Sequence, residues 1–268
     1  MAKLYVGDSQ GAPAIVKVEE VPKLKFGASV NAFLGDVDEN GFLQKPTNEF
    51  ILDLTGVKGF NVSNIFENKF NSTKIKQVIA NDLTTLFMND FVNAFSNCMS
   101  LTKAEFNNLE SITTDKSFNN AFYNCPYAKI TFNKLKIVSG PSAFNNGLRT
   151  FAKNVNIEET FPLLEEISGN GSFTSFISFF SDTVVTFPSI KKISGGTAYY
   201  QSTFGNVGMN GTIWNFPNAI EFTKSIWNTS ASYTGEIHFA AANQAAIEAC
   251  DGYADKWGFA GATIYFDL

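Results

Sequence analysis

Apolar residues recur along most of the chain as Phe-x-x-(Leu/Ile)-x-x-(Ile/Val), with polar residues between them. Four full copies and a degraded fifth begin at Phe106, Phe132, Phe161, Phe187 and Phe216. These leading phenylalanines are 26, 29, 26 and 29 residues apart. One such unit is too small to bury its own apolar face, whereas stacked units bury a continuous column. The pattern therefore predicts a repeat solenoid.

A second motif keeps the same phase as the first. Residues 91–98 read FVNAFSNC, and residues 118–125 read FNNAFYNC, 27 residues later. Phe118, Ala121 and Phe122 have the spacing i, i+3, i+4 of one helix face, which predicts a helical turn over residues 118–124. Shorter echoes of the motif are FNNG at residues 144–147 and FTSF at 173–176, and a faint early copy of the first motif comprises Ile79, Leu83 and Leu86.

Two short extended pieces are predicted in each unit. The first is represented by residues 129–132 and 184–187, and the second by residues 136–139 and 191–194. A proline follows the leading phenylalanine in three units, at Pro162, Pro188 and Pro217. Because proline has no backbone N–H to donate, we expect that position to end or bend a strand.

The two ends of the chain depart from the repeat. Residues 1–48 alternate apolar and polar positions around glycine-rich turns, which predicts two or three short strands. This segment is too small for a core of its own, so we expect it to pack on the solenoid or to need a partner. Residues 240–250 favour a helix and residues 262–268 a strand, an ending suited to shield the last coil. The expected divisions are 1–48, 49–235 and 236–268.

Composition excludes several classes of protein. Phe and Asn each occur 28 times in 268 residues, and the repeat explains both excesses because it multiplies core rings and turn residues. The sequence has no run of about 18 apolar residues, so no membrane helix is predicted, and no secretory leader is expected. A net charge of −5 without basic clusters argues against nucleic acid as a partner. Three cysteines make no disulfide framework, and a single histidine makes no multi-histidine metal site.

The repeats resemble the BspA-type leucine-rich repeats of bacterial surface proteins and of phage and prophage structural proteins. The resemblance rests on NAFSNCMSLT at residues 93–102, NAFYNC at 120–125 and the copies of the first motif. The ending from Ile237 to Leu268 is similar to the end of such repeats in phages of Gram-positive gut bacteria, and AKLYVG at 2–7 to the first strands of phage fibre proteins. The resemblance implies a β-rich, leucine-rich-repeat-like solenoid with short helical turns, a small β segment before it and an α/β cap after it.

Two motifs raise the question of bound metal or redox chemistry. Residues 36–41 (DVDENG) match the first half of a calcium loop, but Thr47 stands where the twelfth-position Glu is needed. A plain acidic turn is therefore preferred. Cys98 and Cys125 hold equivalent places in adjacent units, where we expect two stacked, buried thiols rather than a disulfide or half a metal site. Cys250 is expected to pack in the cap. We predict no cofactor.

Paired carboxylates raise the question of an enzyme. Glu158-Glu159 and Glu165-Glu166 match the chemistry of a glycosidase, but adjacent residues of a strand point apart and the sequence places no cationic partner beside them. His238 lies in a predicted apolar strand, where a structural role is expected. No nucleophile signature accompanies it. We therefore predict that the chain is not an enzyme.

Aromatic residues cluster in the last two units, where the repeat is least regular. They are Tyr199, Tyr200, Trp214, Trp227 and Tyr233. Aromatic platforms beside amide and hydroxyl groups bind carbohydrate, so these residues are the candidate ligand-binding set. The preferred alternative is that the rings replace Phe in the core.

The resemblance implies a virion structural protein, a head-fibre or tail-fibre appendage that attaches through residues 1–48. Its partners would be capsid or tail proteins and a host surface glycan or protein, and such appendages are commonly homotrimers. The candidate attachment residues are Leu4, Tyr5, Val6, Ile15, Val16 and Val18. The alternative is a bacterial cell-surface or secreted adhesin. We expect neither nucleic-acid binding nor membrane insertion.

Overall fold

The structure is a computed structural model. It describes the backbone at residues 5–7, 13–15, 23–25 and 33–34, and backbone and side chains at 49–60, 63–64, 66–147, 157–176, 184–194, 203–204, 210–223, 225–227 and 232–268. The calcium-like motif at residues 36–41 lies outside these ranges, as do Tyr199 and Tyr200.

The described residues form a β-solenoid of about seven turns with little helix, which confirms the predicted β-rich repeat architecture. In chain order the strands are β1 (Tyr5–Gly7), β2 (Pro13–Ile15), β3 (Lys23–Lys25), β4 (Phe33–Leu34), β5 (Phe50–Asp53), β6 (Ile75–Ile79), β7 (Lys103–Glu105), β8 (Ser111–Ile112), β9 (Lys129–Thr131), β10 (Ile137–Val138), β11 (Glu166–Ile167), β12 (Val184–Thr186), β13 (Lys192–Ile193), β14 (Thr212–Phe216), β15 (Glu221–Phe222), β16 (Gly235–Phe239) and β17 (Ala262–Phe266).

One side of the solenoid is built from the longer strands, and we call it the long-strand face. It consists of two parallel sheets in the orders β3-β5-β6-β7-β9 and β12-β14-β16-β17. The single turn of helix α1 (Ile157–Thr160) lies between them and contacts both β9 and β12. Side chains alternate along each strand, so that in β14 Trp214 and Phe216 are buried while Ile213 and Asn215 are half-buried on the outer side.

A second side, the short-strand face, has strands of only two residues. They stack in parallel in the order β8-β10-β11-β13-β15. In each, the second residue is buried and the first points outward, as for Ile137 and Val138 in β10. Chain turns at Pro162, Pro188 and Pro217 join the long-strand face to this one, as the proline positions predicted.

The third side, the turn face, is made of consecutive tight turns, so the predicted helical turn at residues 118–124 is wrong. A left-handed backbone residue occurs every fourth position, as at Asn120 (φ 51°) and Asn124 (φ 55°). An α-helix cannot contain such residues at this spacing, because its i→i−4 bonds need every residue right-handed. Asn tolerates the left-handed conformation better than other side chains with a Cβ. This face therefore accounts for part of the Asn excess, because eight asparagines of the described residues hold left-handed positions.

Hydrogen bonds on the turn face alternate between local and inter-coil partners. The Ala121 N–H donates to the Phe118 carbonyl three residues earlier, whereas the Phe95 N–H donates to the Ala121 carbonyl of the next coil. Every second residue thus joins adjacent coils, as in a parallel sheet. The Asn side chains add to this contact, because Asn124 Nδ2 donates to Asn97 Oδ1 at 3.0 Å.

The core is a column of stacked apolar side chains, as the repeat predicted. All members of the five copies of the first motif are buried, as are the phenylalanines of the turn face. The faint early copy was placed one residue too early, because Ala80, not Ile79, occupies the position of Phe106. A still earlier copy, missed in the sequence, comprises the buried Leu54, Val57 and Phe60.

The described part of the first 48 residues contributes four short strands, where two or three were predicted. Strands β1, β2 and β4 form an antiparallel sheet, whereas β3 pairs in parallel with β5 and so extends the long-strand face. The backbone of Tyr5, Val6 and Ile15 lies in the antiparallel sheet, and Leu4, Val16 and Val18 lie outside the described residues. The solenoid sheet therefore begins before residue 49.

The last coil carries the predicted helix and strand. A 3₁₀ turn (Ala241–Asn243) leads into α2 (Gln244–Glu248), which packs beside β15 on the short-strand face. A second 3₁₀ turn (Lys256–Gly258) follows, and β17 ends the sheet. No helix among the described residues has the length and apolar character needed to cross a membrane.

Candidate functional site

Of the aromatic residues chosen from the sequence, the two tryptophans lie in the core. Trp214 and Trp227 are each 1% exposed, and their rings meet edge to face at 5.8 Å. Tyr233 is half-buried against the same cluster. Rings enclosed in this way offer no face to a ligand. Both tryptophans therefore replace Phe in the core, which was the alternative to ligand binding.

The thiols of Cys98 and Cys125 are buried, as expected, and neither forms a disulfide. Cys98 Sγ donates to the Phe70 carbonyl and Cys125 Sγ to the Phe95 carbonyl, each at 3.0 Å. Burial raises the pKa of the Cys125 thiol strongly, and the neighbouring Cys98 adds to that effect. The raised pKa holds the Cys125 thiol in the neutral, unreactive form. Cys250 is half-buried in the cap, where its sulfur accepts the Phe222 N–H.

Two of the glutamates considered for catalysis, Glu165 and Glu166, belong to charge ladders along the short-strand face, whereas Glu158 and Glu159 lie on α1. Glu165 pairs with Lys191 of the next coil at 2.9 Å, a partner that the sequence did not reveal. The hydrogen bond to Lys191, followed by its charge, lowers the pKa of Glu165. Glu159 of α1 similarly pairs with Lys129.

Outward positions of successive coils in these ladders alternate in charge. One row reads Glu110, Lys136, Glu165 and Lys191, and the next reads Glu166, Lys192 and Glu221. Lys192 and Glu221 are 3.1 Å apart, and the hydrogen bond to Glu221 raises the pKa of Lys192. Glu165 and Glu221 are thus each paired with a lysine, which suits a structural surface better than a pair of catalytic acids.

The most concentrated polar group lies on the outer side of the last two strands of the long-strand face. Imidazole Nδ1 of His238 is 2.7 Å from Asp267 Oδ1, and Nε2 is 3.0 Å from Glu236 Oε2. Glu236 and His238 are on β16, and Asp267 directly follows β17. We call Glu236, His238, Tyr265 and Asp267 the C-terminal polar cluster.

The strand register explains how the cluster assembles. His238 lies opposite Tyr265 across the β16–β17 pair, and their rings stack at 4.7 Å with an interplanar angle of 22°. Below His238 the same outward row continues with Asn215 and Thr186, where Asn215 Nδ2 donates to Thr186 Oγ1 at 3.3 Å. The row is therefore a column of polar side chains that ends in an aromatic ring.

The two carboxylates favour the protonated imidazole. Partial desolvation works to lower the pKa of His238, but the hydrogen bonds to Asp267 and Glu236 and their charges outweigh it and raise that pKa. With both ring nitrogens bonded to carboxylates, His238 donates at both sites when charged. The imidazolium then holds β17 to β16 through its bond to Asp267.

The two carboxylates of the cluster flank the imidazole of His238 from opposite sides. Glu236 and Asp267 bond opposite nitrogens of one ring, so they do not converge on a common point. Across the described ranges no group of three or more His, Cys, Asp or Glu side chains is placed to hold a metal ion. Both ring nitrogens of His238 are occupied by these carboxylates.

Sequence reasoning missed this cluster because His238 was assigned to an apolar strand. Residues 236–239 (EIHF) in fact alternate, so that Ile237 and Phe239 point inward while Glu236 and His238 point outward. The signal that could have found it is the separation of 29 residues between His238 and Asp267, which equals one repeat. That spacing places the two side chains on neighbouring coils.

Comparison of the chain with models of known protein families and with curated protein sequences found no match.

Proposed function

We propose that the chain is a non-enzymatic structural protein of a bacteriophage particle, a head-fibre or tail-fibre appendage that displays its solenoid for adhesion to a host surface. In this proposal the repeats belong to the BspA-type leucine-rich class, as the NAFYNC motif at residues 120–125 suggests. The N-terminal segment is the attachment element, and the assembly is a homotrimer.

The main support for the proposal is a continuous aromatic core, covered by outer faces whose charged side chains pair between neighbouring coils. Phe91, Phe118 and Phe144 stack in succession at centroid distances of 5.0 and 5.3 Å. Above this core, Glu165 and Glu221 of the short-strand face are paired with lysines of neighbouring coils. Such a protein presents a rigid surface, which is what repeat scaffolds offer to a binding partner.

The antiparallel sheet of β1, β2 and β4 supports a separate role for the first segment. Its strand arrangement differs from the parallel stacking of every coil that follows. An element of different architecture at one end of a solenoid suits attachment to another protein, whereas the stacked coils suit display.

The test asks where the full-length chain is found in a culture that produces phage particles. The phage is the one whose structural genes lie beside the gene for this chain. Particles are purified by density gradient, and their proteins are identified and counted by mass spectrometry. We expect the chain in intact particles, in numbers divisible by three. Recovery only with the cell envelope would overturn the proposal and favour a bacterial adhesin.

The absence of catalysis is tested separately with the purified full-length chain. Host surface polysaccharide is incubated with it, and reducing ends are measured. We expect none above the buffer blank. Release that disappears in Glu165→Gln would show that the chain is a glycosidase and would refute this part of the proposal.

A further inference from the structure

Tyr265 presents an aromatic ring at the end of the long-strand face. One side of the ring stacks on His238 at 4.7 Å. Strand β17 is the last of its sheet, so no further strand covers the other side in the part of the chain that the structure describes. The residue is 38% exposed. One face of the Tyr265 ring is therefore held by His238, and the opposite face is open.

Hydrogen-bond acceptors flank that open ring. Glu236 and Asp267 each use one carboxylate oxygen to bond His238, through Oε2 and Oδ1. Among the described residues no partner is bonded to the second oxygens, Oε1 of Glu236 and Oδ2 of Asp267. Because His238 fixes both carboxylates, these oxygens keep their positions without a ligand. Ligand binding to these oxygens therefore costs little conformational entropy of the two carboxylate side chains.

A flat apolar face beside fixed carboxylate oxygens matches the chemistry of a sugar ring. The C–H groups on one side of a pyranose pack on an aromatic ring, and its hydroxyls donate to carboxylates. With His238 protonated, the cluster still carries one net negative charge, which disfavours acidic sugars. We propose that the C-terminal polar cluster is a binding subsite for a neutral pyranose of a surface glycan.

This inference rests on the proposed adhesive function and places its glycan contact away from the tryptophans. Trp214 and Trp227 are enclosed in the core, as described above. Tyr127 is more exposed than Tyr265, at 68%, but no ring contact to another described residue holds it. Tyr127 is therefore the matched control for an exposed tyrosine outside the subsite.

The experiment measures saccharide binding to the full-length chain by saturation-transfer NMR and calorimetry. The probes are neutral tetrasaccharides of glucose, galactose, mannose and N-acetylglucosamine, with tetragalacturonate as the acidic comparison. We expect at least one neutral probe to bind, with about a tenfold or greater loss of affinity in Tyr265→Ala. Tyr265→Phe keeps the ring and is expected to retain binding, as is Tyr127→Ala.

Three outcomes overturn the subsite. They are no binding of any neutral probe, unchanged binding in Tyr265→Ala, and equal binding of tetragalacturonate. Circular dichroism of each variant separates loss of the ring from loss of the fold, and Tyr265→Leu, which also lacks the ring, provides the answer if Tyr265→Ala does not fold. Particle purification tests the proposed function independently, so a chain found in particles that binds no sugar refutes the subsite alone.

Discussion

The phenyl rings of Phe91 and Phe118 lie parallel, with centroids 5.0 Å apart and an interplanar angle of 1°. They occupy the same position in successive coils, and Phe144 continues the stack at 5.3 Å and 7°. Phe106 and Phe132 contact Phe118 edge to face, at 5.0 and 5.2 Å. Each core ring thus meets neighbours both along the stack and across it, so its removal affects several coils.

Replacing Phe118 by Ala should lower the free energy of unfolding by about 3 to 5 kcal/mol, because the cavity lies in a fully buried stack. Urea denaturation followed by circular dichroism measures the change. The matched control is Phe87→Ala, because Phe87 is 45% exposed and should cost under about 1 kcal/mol. Equal effects in the two variants would contradict the stacked core.

Asn120 should tolerate glycine better than alanine. Its φ of 51° costs an alanine about 1 to 2 kcal/mol, whereas glycine adopts it freely. We expect Asn120→Ala to be destabilised relative to Asn120→Gly by about that amount in thermal or urea unfolding. Asn133, an exposed turn residue outside the left-handed set, is the control, and there the order should reverse or vanish. The same preference at both sites would argue against the turn face.

Reversing the charge of Glu165 should destabilise the short-strand face. Glu165→Lys places three lysines in successive coils, at positions 136, 165 and 191, where like charges oppose one another. The double variant Glu165→Lys with Lys191→Glu should recover part of the lost stability. We expect both effects to shrink at 1 M salt because exposed pairs are screened. Melting temperatures at low and high salt give the comparison, and salt-independent destabilisation would speak against the ladder.

The contribution of His238 to stability should depend on pH. Its pKa is raised in the folded protein by Asp267 and Glu236, so folding favours the protonated form. The stabilisation is fully present below the ordinary histidine pKa of about 6.5 and is lost as pH rises through the higher folded pKa. Because Glu236 and Asp267 are about half exposed, we expect about 1 kcal/mol relative to His238→Gln at pH 6.

That difference is measured by urea unfolding of both proteins at pH 6 and pH 9. His238 is the chain's single histidine, so a pH-dependent difference between the two proteins can be assigned to it. Glu236→Gln should reduce the difference at pH 6, since one of the two carboxylates that favour the imidazolium is removed. A difference that stays constant from pH 6 to pH 9 would rule out the charged bridge between β16 and β17.

Thiol reagents should distinguish the three cysteines. Cys98 and Cys125 are buried and donate to backbone carbonyls, and the raised pKa of Cys125 disfavours its thiolate. Cys250 is half-buried. A chromogenic disulfide at pH 8 should therefore react with one thiol in the native protein and three in guanidinium. Cys250→Ser should abolish the native reaction, and rapid labelling of Cys98 would contradict the core packing.

Much of the fold was predictable because the repeat appears as a regular spacing of apolar residues along the sequence. The Phe106, Leu109 and Ile112 series sets the phase of each coil, and equivalent residues stack when coils have nearly equal length. The strands at 129–131 and 184–186 and the bends at the prolines followed from local chemistry. The helical turn at residues 118–124 failed because the spacing i, i+3, i+4 is shared by a helix and by a run of turns with a left-handed residue every fourth place.

The sequence by itself determined the phase of the repeat and the inward positions of the five clear copies, because those depend on periodicity. The tertiary structure alone decided which outward side chains meet. Glu165 finds Lys191, and His238 finds Asp267, because one coil carries the chain back to the neighbouring position after 26 or 29 residues. It also decided that Trp214 is buried and Tyr265 open. The sequence does not show whether an aromatic side chain of a strand points inward or outward. The stacking of the coils determines which side of the strand is covered.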